Sequence, residues 1–129
     1  MDENIAVKDL TAAEPLELAE EIIHVLDVRK AGTVKLLRVS DQTVIADYFV
    51  ICQGNSNTQV KGLCDEVDYR IGLDGVSPLR VEGHDSASWI LMDYGSVLVH
   101  IFQKEARSFY NLEKLWGDSE EIDISGLLL

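Results

Sequence analysis

Between residues 15 and 30, Leu16, Ala19, Ile22, Ile23, Val25 and Leu26 recur at helical spacing with polar residues between them. Thr11 and Glu14 stand at capping-box spacing, and Pro15 suits a first helical turn. Arg29 and Lys30 suit the negative end of the helix dipole, and Gly32 is the expected terminator. A strand is predicted at 34–39 (VKLLRV), then loop chemistry over 40–47, then a buried strand in the apolar run 48–52. Gly54-Asn55-Ser56 breaks that run. Ser56 and Gln59 form a second capping-box pair ahead of the stripe Val60, Leu63, Cys64, Val67 and Ile71, which ends at Gly72 and Gly75.

Beyond Pro78 the pattern turns to strands again: a short one at 79–82, then 88–94 and 97–102 joined by a tight turn at Gly95-Ser96. The segment 104–116 reads as a helix with Phe109, Leu112 and Trp116 on one side. The order is α-β-β-α-β-β-β-α. It predicts a two-layer α/β sandwich with a mixed five-stranded sheet and helices mainly on one face. Residues 1–10 are a loose lead-in, 11–118 a single α/β domain and 119–129 a mobile acidic and apolar tail.

Two long helices cannot cover both faces of that sheet, and this makes the last two strands informative. By period two, Trp89, Leu91 and Asp93 share one face, while Ile90, Met92 and Tyr94 share the other. Leu98, His100 and Phe102 likewise oppose Val97, Val99 and Ile101. Both faces are largely apolar, so the uncovered one reads as an interaction surface.

The chain has 129 residues, 47% of them hydrophobic, with 11 Lys plus Arg against 23 Asp plus Glu, a net charge of −12. The apolar content excludes a disordered acidic protein. The charge argues against nucleic acid and anionic membrane surfaces as direct partners, and favours a basic protein. No signal peptide or bilayer-spanning run is read, so a cytoplasmic location is expected.

Catalytic signatures are sparse. Cys52 and Cys64 lack CxxC spacing and fall in apolar patterns, as buried thiols do. His24 belongs to the first helix. Glu82-Gly83-His84-Asp85 reads as a polar turn. His84 and His100 come without thiolate or carboxylate spacing, so no metal and no cofactor are expected. Gly54-Asn55-Ser56 at a strand-to-helix turn could cradle an anion, and the alternative function is a nucleotide-binding or nucleotidyltransferase-like enzyme using Ser56 and Asp93. Asp93 stands alone on its strand, however, and one carboxylate cannot hold two Mg²⁺ ions between phosphates. A generic acidic dimeric adaptor is the third reading.

Several multi-residue motifs occur together: Ala46-Asp47-Tyr48-Phe49-Val50-Ile51-Cys52-Gln53-Gly54-Asn55-Ser56, Val81-Glu82-Gly83, Trp89-Ile90-Leu91-Met92-Asp93-Tyr94-Gly95, Val99-His100-Ile101-Phe102, and Phe109-Tyr110-Asn111-Leu112-Glu113-Lys114-Leu115-Trp116-Gly117-Asp118. In order and spacing they closely resemble the Iojap-like ribosomal silencing factor family from about residue 14 to residue 118. The resemblance implies a non-enzymatic protein that binds the large ribosomal subunit at its interface protein L-fourteen. It would block joining of the small subunit and repress translation when nutrients are short. It also implies a nucleotidyltransferase-like topology without the catalytic carboxylate pair, and a homodimer when free. Together with the sheet pattern, it directs attention to Trp89, Leu91, Asp93, Tyr94, Glu82 and His100 as partner-binding residues, with Trp89 at the centre.

Overall fold

Pro15–Val28 forms helix α1 in the computed structural model, which describes residues 7–129. Leu18, Ala19, Ile22, Ile23 and Leu26 point inward, and Pro15 holds the first turn. The expected capping box does not form. Glu14 takes the N-cap without a side-chain bond, while the Thr11 N–H and hydroxyl both donate to Asp9 Oδ1, at 3.0 and 2.6 Å. The helix also ends earlier than Gly32. Lys30 adopts φ 62, its N–H donates to the Asp27 carbonyl, and Ala31 N–H reaches back to the Leu26 carbonyl, both at 2.9 Å. This is a Schellman ending with lysine in the left-handed position.

Helix α2, Asn57–Leu73, follows the sequence reading closely. Ser56 Oγ accepts from Gln59 N–H at 3.1 Å, and Gln59 Oε1 accepts from Asn55 N–H at 2.7 Å. Its end repeats the Schellman pattern with Gly75 at φ 95, the residue best suited to it.

The strands are β1 Gly32–Arg38, β2 Tyr48–Gly54, β3 Arg80–Glu82, β4 Trp89–Asp93, β5 Val97–Gln103 and β6 Glu120–Ile122. They form one mixed sheet in the order β3-β4-β5-β2-β1-β6, with β2 and β5 parallel and every other pair antiparallel. Among the described residues the sheet therefore has six strands, not five. β6 comes from the segment expected to be a mobile tail, and pairs Ile122 with Leu36 and Glu120 with Arg38. Ile124 behind it is 8% exposed, and Leu129 N–H donates to Asp27 Oδ2 at 2.7 Å. The physical reason is the open edge of β1, which would otherwise present unpaired backbone groups beside Leu36 and Leu37. Three residues are too short a run to show a period.

At the other end, Lys8 and Leu10 N–H groups donate to the Asp74 carboxylate and carbonyl, at 2.8 and 2.9 Å. Leu10 is 3% exposed, so this part of the expected loose lead-in is fastened. Residues 1–6 of that lead-in lie outside the described residues.

Among the described residues, two apolar clusters form the interior. The larger lies between the sheet and helices α1 and α2, and includes Ile22, Leu26, Val67, Ile71, Ile90, Met92, Val99 and Ile101. The smaller lies on the opposite face around Leu37, Phe49, Ile51, Leu98, Phe102 and Leu112. The C-terminal helices cover part of it. They are two rather than one, α3 Lys104–Tyr110 and α4 Leu112–Leu115, because Asn111 turns left-handed at φ 49. The break sends Leu112 and Trp116 onto the sheet but leaves Phe109 81% exposed, so the three do not share a side.

Candidate functional site

The sheet face opposite α1 and α2 is built from rows of side chains across the strands. Glu82, Leu91, His100 and Ile51 form one row, and Arg80, Asp93, Leu98, Phe49 and Leu37 the next. This places Glu82, Leu91, Asp93 and His100 together with Trp89: period two groups Trp89, Leu91 and Asp93 within their strand, and the strand register adds Glu82 and His100. Tyr94 is the exception among the expected site residues. It is 8% exposed and joins Ile90 and Met92 in the cluster beneath α2, so it does not line this face. Its own strand parity carries it away from Trp89.

Trp89 is half-buried and held from three sides. Its ring stacks on Phe102 at 4.8 Å and tilts against Tyr110 at 5.0 Å, while Nε1–H donates to His100 Nδ1 at 3.2 Å. That bond makes Nδ1 the acceptor, so a neutral His100 carries its proton on Nε2. His100 is 4% exposed, and burial pushes its pKa down to about 4. Its Nε2 has no partner among the described residues. A buried imidazole thus holds the N–H edge of the indole.

Leu91, Trp89, Glu82 and Gly83 line a shallow groove of about 310 Å³. Gly83 is at φ 85, and a Cβ there would stand 2.1 Å from the Trp89 carbonyl oxygen. Only glycine allows this approach. Next to the groove, Asp93 Oδ1 accepts from Gly95 N–H at 2.8 Å, closing the β4–β5 turn. Arg80 Nε lies 3.3 Å from Asp93 Oδ2 and 3.1 Å from Glu82 Oε2. The two candidate carboxylates therefore already share a cation. The sequence reading missed Arg80, although its alternation with Glu82 was the available signal. It also missed that Phe109 and Tyr110, in contact at 5.1 Å, extend the aromatic surface from Trp89 into solvent.

The residues of the enzyme alternative have structural tasks here. Ser56 caps α2, and Asp93 holds a turn and an ion pair. Burial pushes both the Cys52 and Cys64 thiols up to about 12, so neither is a thiolate nucleophile near neutral pH. His84 Nε2 meets Asp65 Oδ1 at 2.9 Å, away from His100 on the opposite side of the sheet.

The profile of the family described as "Ribosomal silencing factor during starvation" matches residues 12–128. The chain belongs to this family. Ribosomal silencing factor RsfS of Halalkalibacterium halodurans is 39% identical over 112 residues, which is 87% of this chain and 96% of that protein. RsfS of Bacillus subtilis is 42% identical over 98 residues, covering 76% and 83%. A crystal structure from Chromobacterium violaceum superimposes with a TM-score of 0.78 at 34% identity, covering 81% of this chain and 87% of the other. As a silencing-factor family member, the chain shares the α/β fold with its mixed sheet. No helix among its described residues is long and apolar enough to cross a membrane.

Proposed function

We propose that the chain represses translation from the cytoplasm by docking the sheet face opposite α1 and α2 on the large ribosomal subunit, at interface protein L-fourteen, and blocking the small subunit. The observation that carries this reading is Trp89, an aromatic anchor half-exposed beside a groove on the one sheet face that the long helices leave bare. Aromatic anchors of this kind dominate interface energies. Leu91, Tyr110 and Phe109 enlarge the apolar area, with Glu82, Asp93 and Arg80 as a charged rim.

Charge supports the orientation. Helices α1 and α2, on the far layer, carry Glu17, Glu20, Glu21, Asp65, Glu66 and Asp68. Docking through the opposite face keeps these acids away from ribosomal RNA while a basic protein meets the rim. In the free protein the same face serves as a homodimer interface, so dimerisation and docking compete. The nucleotidyltransferase-like frame then has no reaction to perform.

Sedimentation with purified large subunits, with and without small subunits, tests the reading. Wild type should co-sediment with large subunits and prevent joining. Trp89→Ala should weaken binding by about 2 kcal/mol or more, as loss of a hot spot does. Glu82→Lys should weaken it while Glu121→Lys should not. Normal binding by a folded Trp89→Ala protein, or equal effects of the two charge reversals, would remove this face from the interface.

A further inference from the structure

Helix α2 and the loop ahead of β4 meet at three side chains of different donor type. Cys64 lies on the buried side of α2, Asp65 follows on its exposed flank, and His84 arrives from the β3–β4 loop. Cys64 Sγ, an Asp65 carboxylate oxygen and a His84 ring nitrogen all lie within 4.8 Å of one another. His84 is 19 residues from Asp65, so no ligand spacing in the sequence announces the group. This is why the sequence leads to an expectation of no metal.

Two further features bear on the cluster. The loop that delivers His84 is anchored: Asn57 Nδ2 donates to the Ser86 carbonyl at 3.2 Å, and Ala87, fully buried at φ 56, donates its N–H to the Gly83 carbonyl at 2.9 Å. Tyr94 supplies the second. Its side chain is 8% exposed, and its hydroxyl lies within electrostatic reach of Cys64 and Asp68 with no partner among the described residues. A buried polar atom within reach of the Cys64 thiol calls for a ligand or an ordered water.

We propose that Cys64, Asp65 and His84 form a site for one zinc ion, with water in the fourth position next to the Tyr94 hydroxyl. Thiolate, imidazole and carboxylate together suit zinc, whereas magnesium and calcium prefer all-oxygen sets. Zinc bond lengths at tetrahedral angles separate neighbouring ligand atoms by about 3.3–3.6 Å. The observed spread closes to that range by small movements of Asp65 and His84, both at the surface. Binding breaks the Cys64 S–H bond and forms Zn–S, releasing the thiol proton to solvent. His84 gives a ring-nitrogen lone pair to the ion, and its remaining proton sits on the other ring nitrogen. The bound ion fastens the β3–β4 loop to α2 five residues ahead of Trp89.

Cobalt(II) added to the reduced, metal-free full chain tests the site, because thiolate coordination gives a charge-transfer band and tetrahedral geometry gives intense visible bands. One equivalent should produce both signals, and zinc should displace it. The signals should persist in Cys52→Ala and vanish in Cys64→Ala and in His84→Ala, whose loop position spares the core. Asp65→Asn should weaken zinc at least about tenfold. A wild-type protein without the charge-transfer band overturns the site. So do a band that survives in either Cys64→Ala or His84→Ala, and unchanged zinc affinity in Asp65→Asn.

Discussion

The indole N–H of Trp89 donates to Nδ1 of His100 at 3.2 Å, and this bond joins a half-buried ring of the sheet face opposite α1 and α2 to one of its most buried residues. It settles the imidazole tautomer and fixes the plane of the indole against Phe102. Trp89→Phe keeps a ring in place but leaves His100 Nδ1 buried without its donor. We expect a stability loss of about 1–3 kcal/mol, the cost of an unsatisfied buried polar group. Urea denaturation measures it, and His100→Phe in the same background should recover part of the loss.

The depressed His100 pKa has a direction in stability. The unfolded imidazole takes up a proton below about 6.5, while the folded one resists until about pH 4. Between these values the unfolded state binds more protons, so stability falls as pH drops through that window and levels off below it. The contribution reaches about 3 kcal/mol. Denaturation of wild type and His100→Gln at pH 7 and pH 5 isolates it, and equal pH slopes would contradict it.

The two long helices end in the same hydrogen-bonded motif with different residues at the left-handed position. Lys30 bears a steric penalty that Gly75 does not. Lys30→Gly should stabilise the protein by about 1 kcal/mol. Gly75→Ala should destabilise it by at least as much, because its Cβ would also meet Thr11 Cγ2 at 2.8 Å. Thermal midpoints of the pair read the contrast directly.

Truncation after Asp118 should be costly. It removes β6 from the edge of β1 and takes Ile122, Ile124 and Leu127 off the larger core. Burial of such side chains amounts to about 1.5–3 kcal/mol each when complete, so a loss of about 3 kcal/mol or more is expected. A truncated chain as stable as wild type would make the strand an ornament of the edge.

Arg107 is 7% exposed and connects α3 to the sheet: it donates to the Thr33 carbonyl at 2.7 Å and pairs with Glu113, whose carboxyl it helps hold below the usual range. Arg107→Ala leaves Glu113 beside Lys35 alone and removes the side-chain tie between α3 and α4. About 3 kcal/mol should be lost, as for other broken, largely buried pairs. Near-ultraviolet circular dichroism should show Trp116 leaving Phe49.

Periodicity alone determined much of this protein. The stripe of α2, its Ser56 cap and the alternation of β4 and β5 are local rules, in which a side chain's direction follows from its neighbours in sequence. These rules place Trp89, Leu91 and Asp93 on one face of β4 and Leu98, His100 and Phe102 on one face of β5, while the strand register joins the two sets. Tertiary structure decided what local rules do not encode. Lys30 turns left-handed where the chain must reverse from α1 into β1, and β6 exists because the edge of β1 needs a partner. Arg80 becomes the partner of Glu82 and Asp93 only when β3 pairs with β4. The meeting of His84 with Cys64 and Asp65 likewise depends on a loop packing against a helix. Such contacts are set by the distance between elements in space, and a sequence carries no record of that distance.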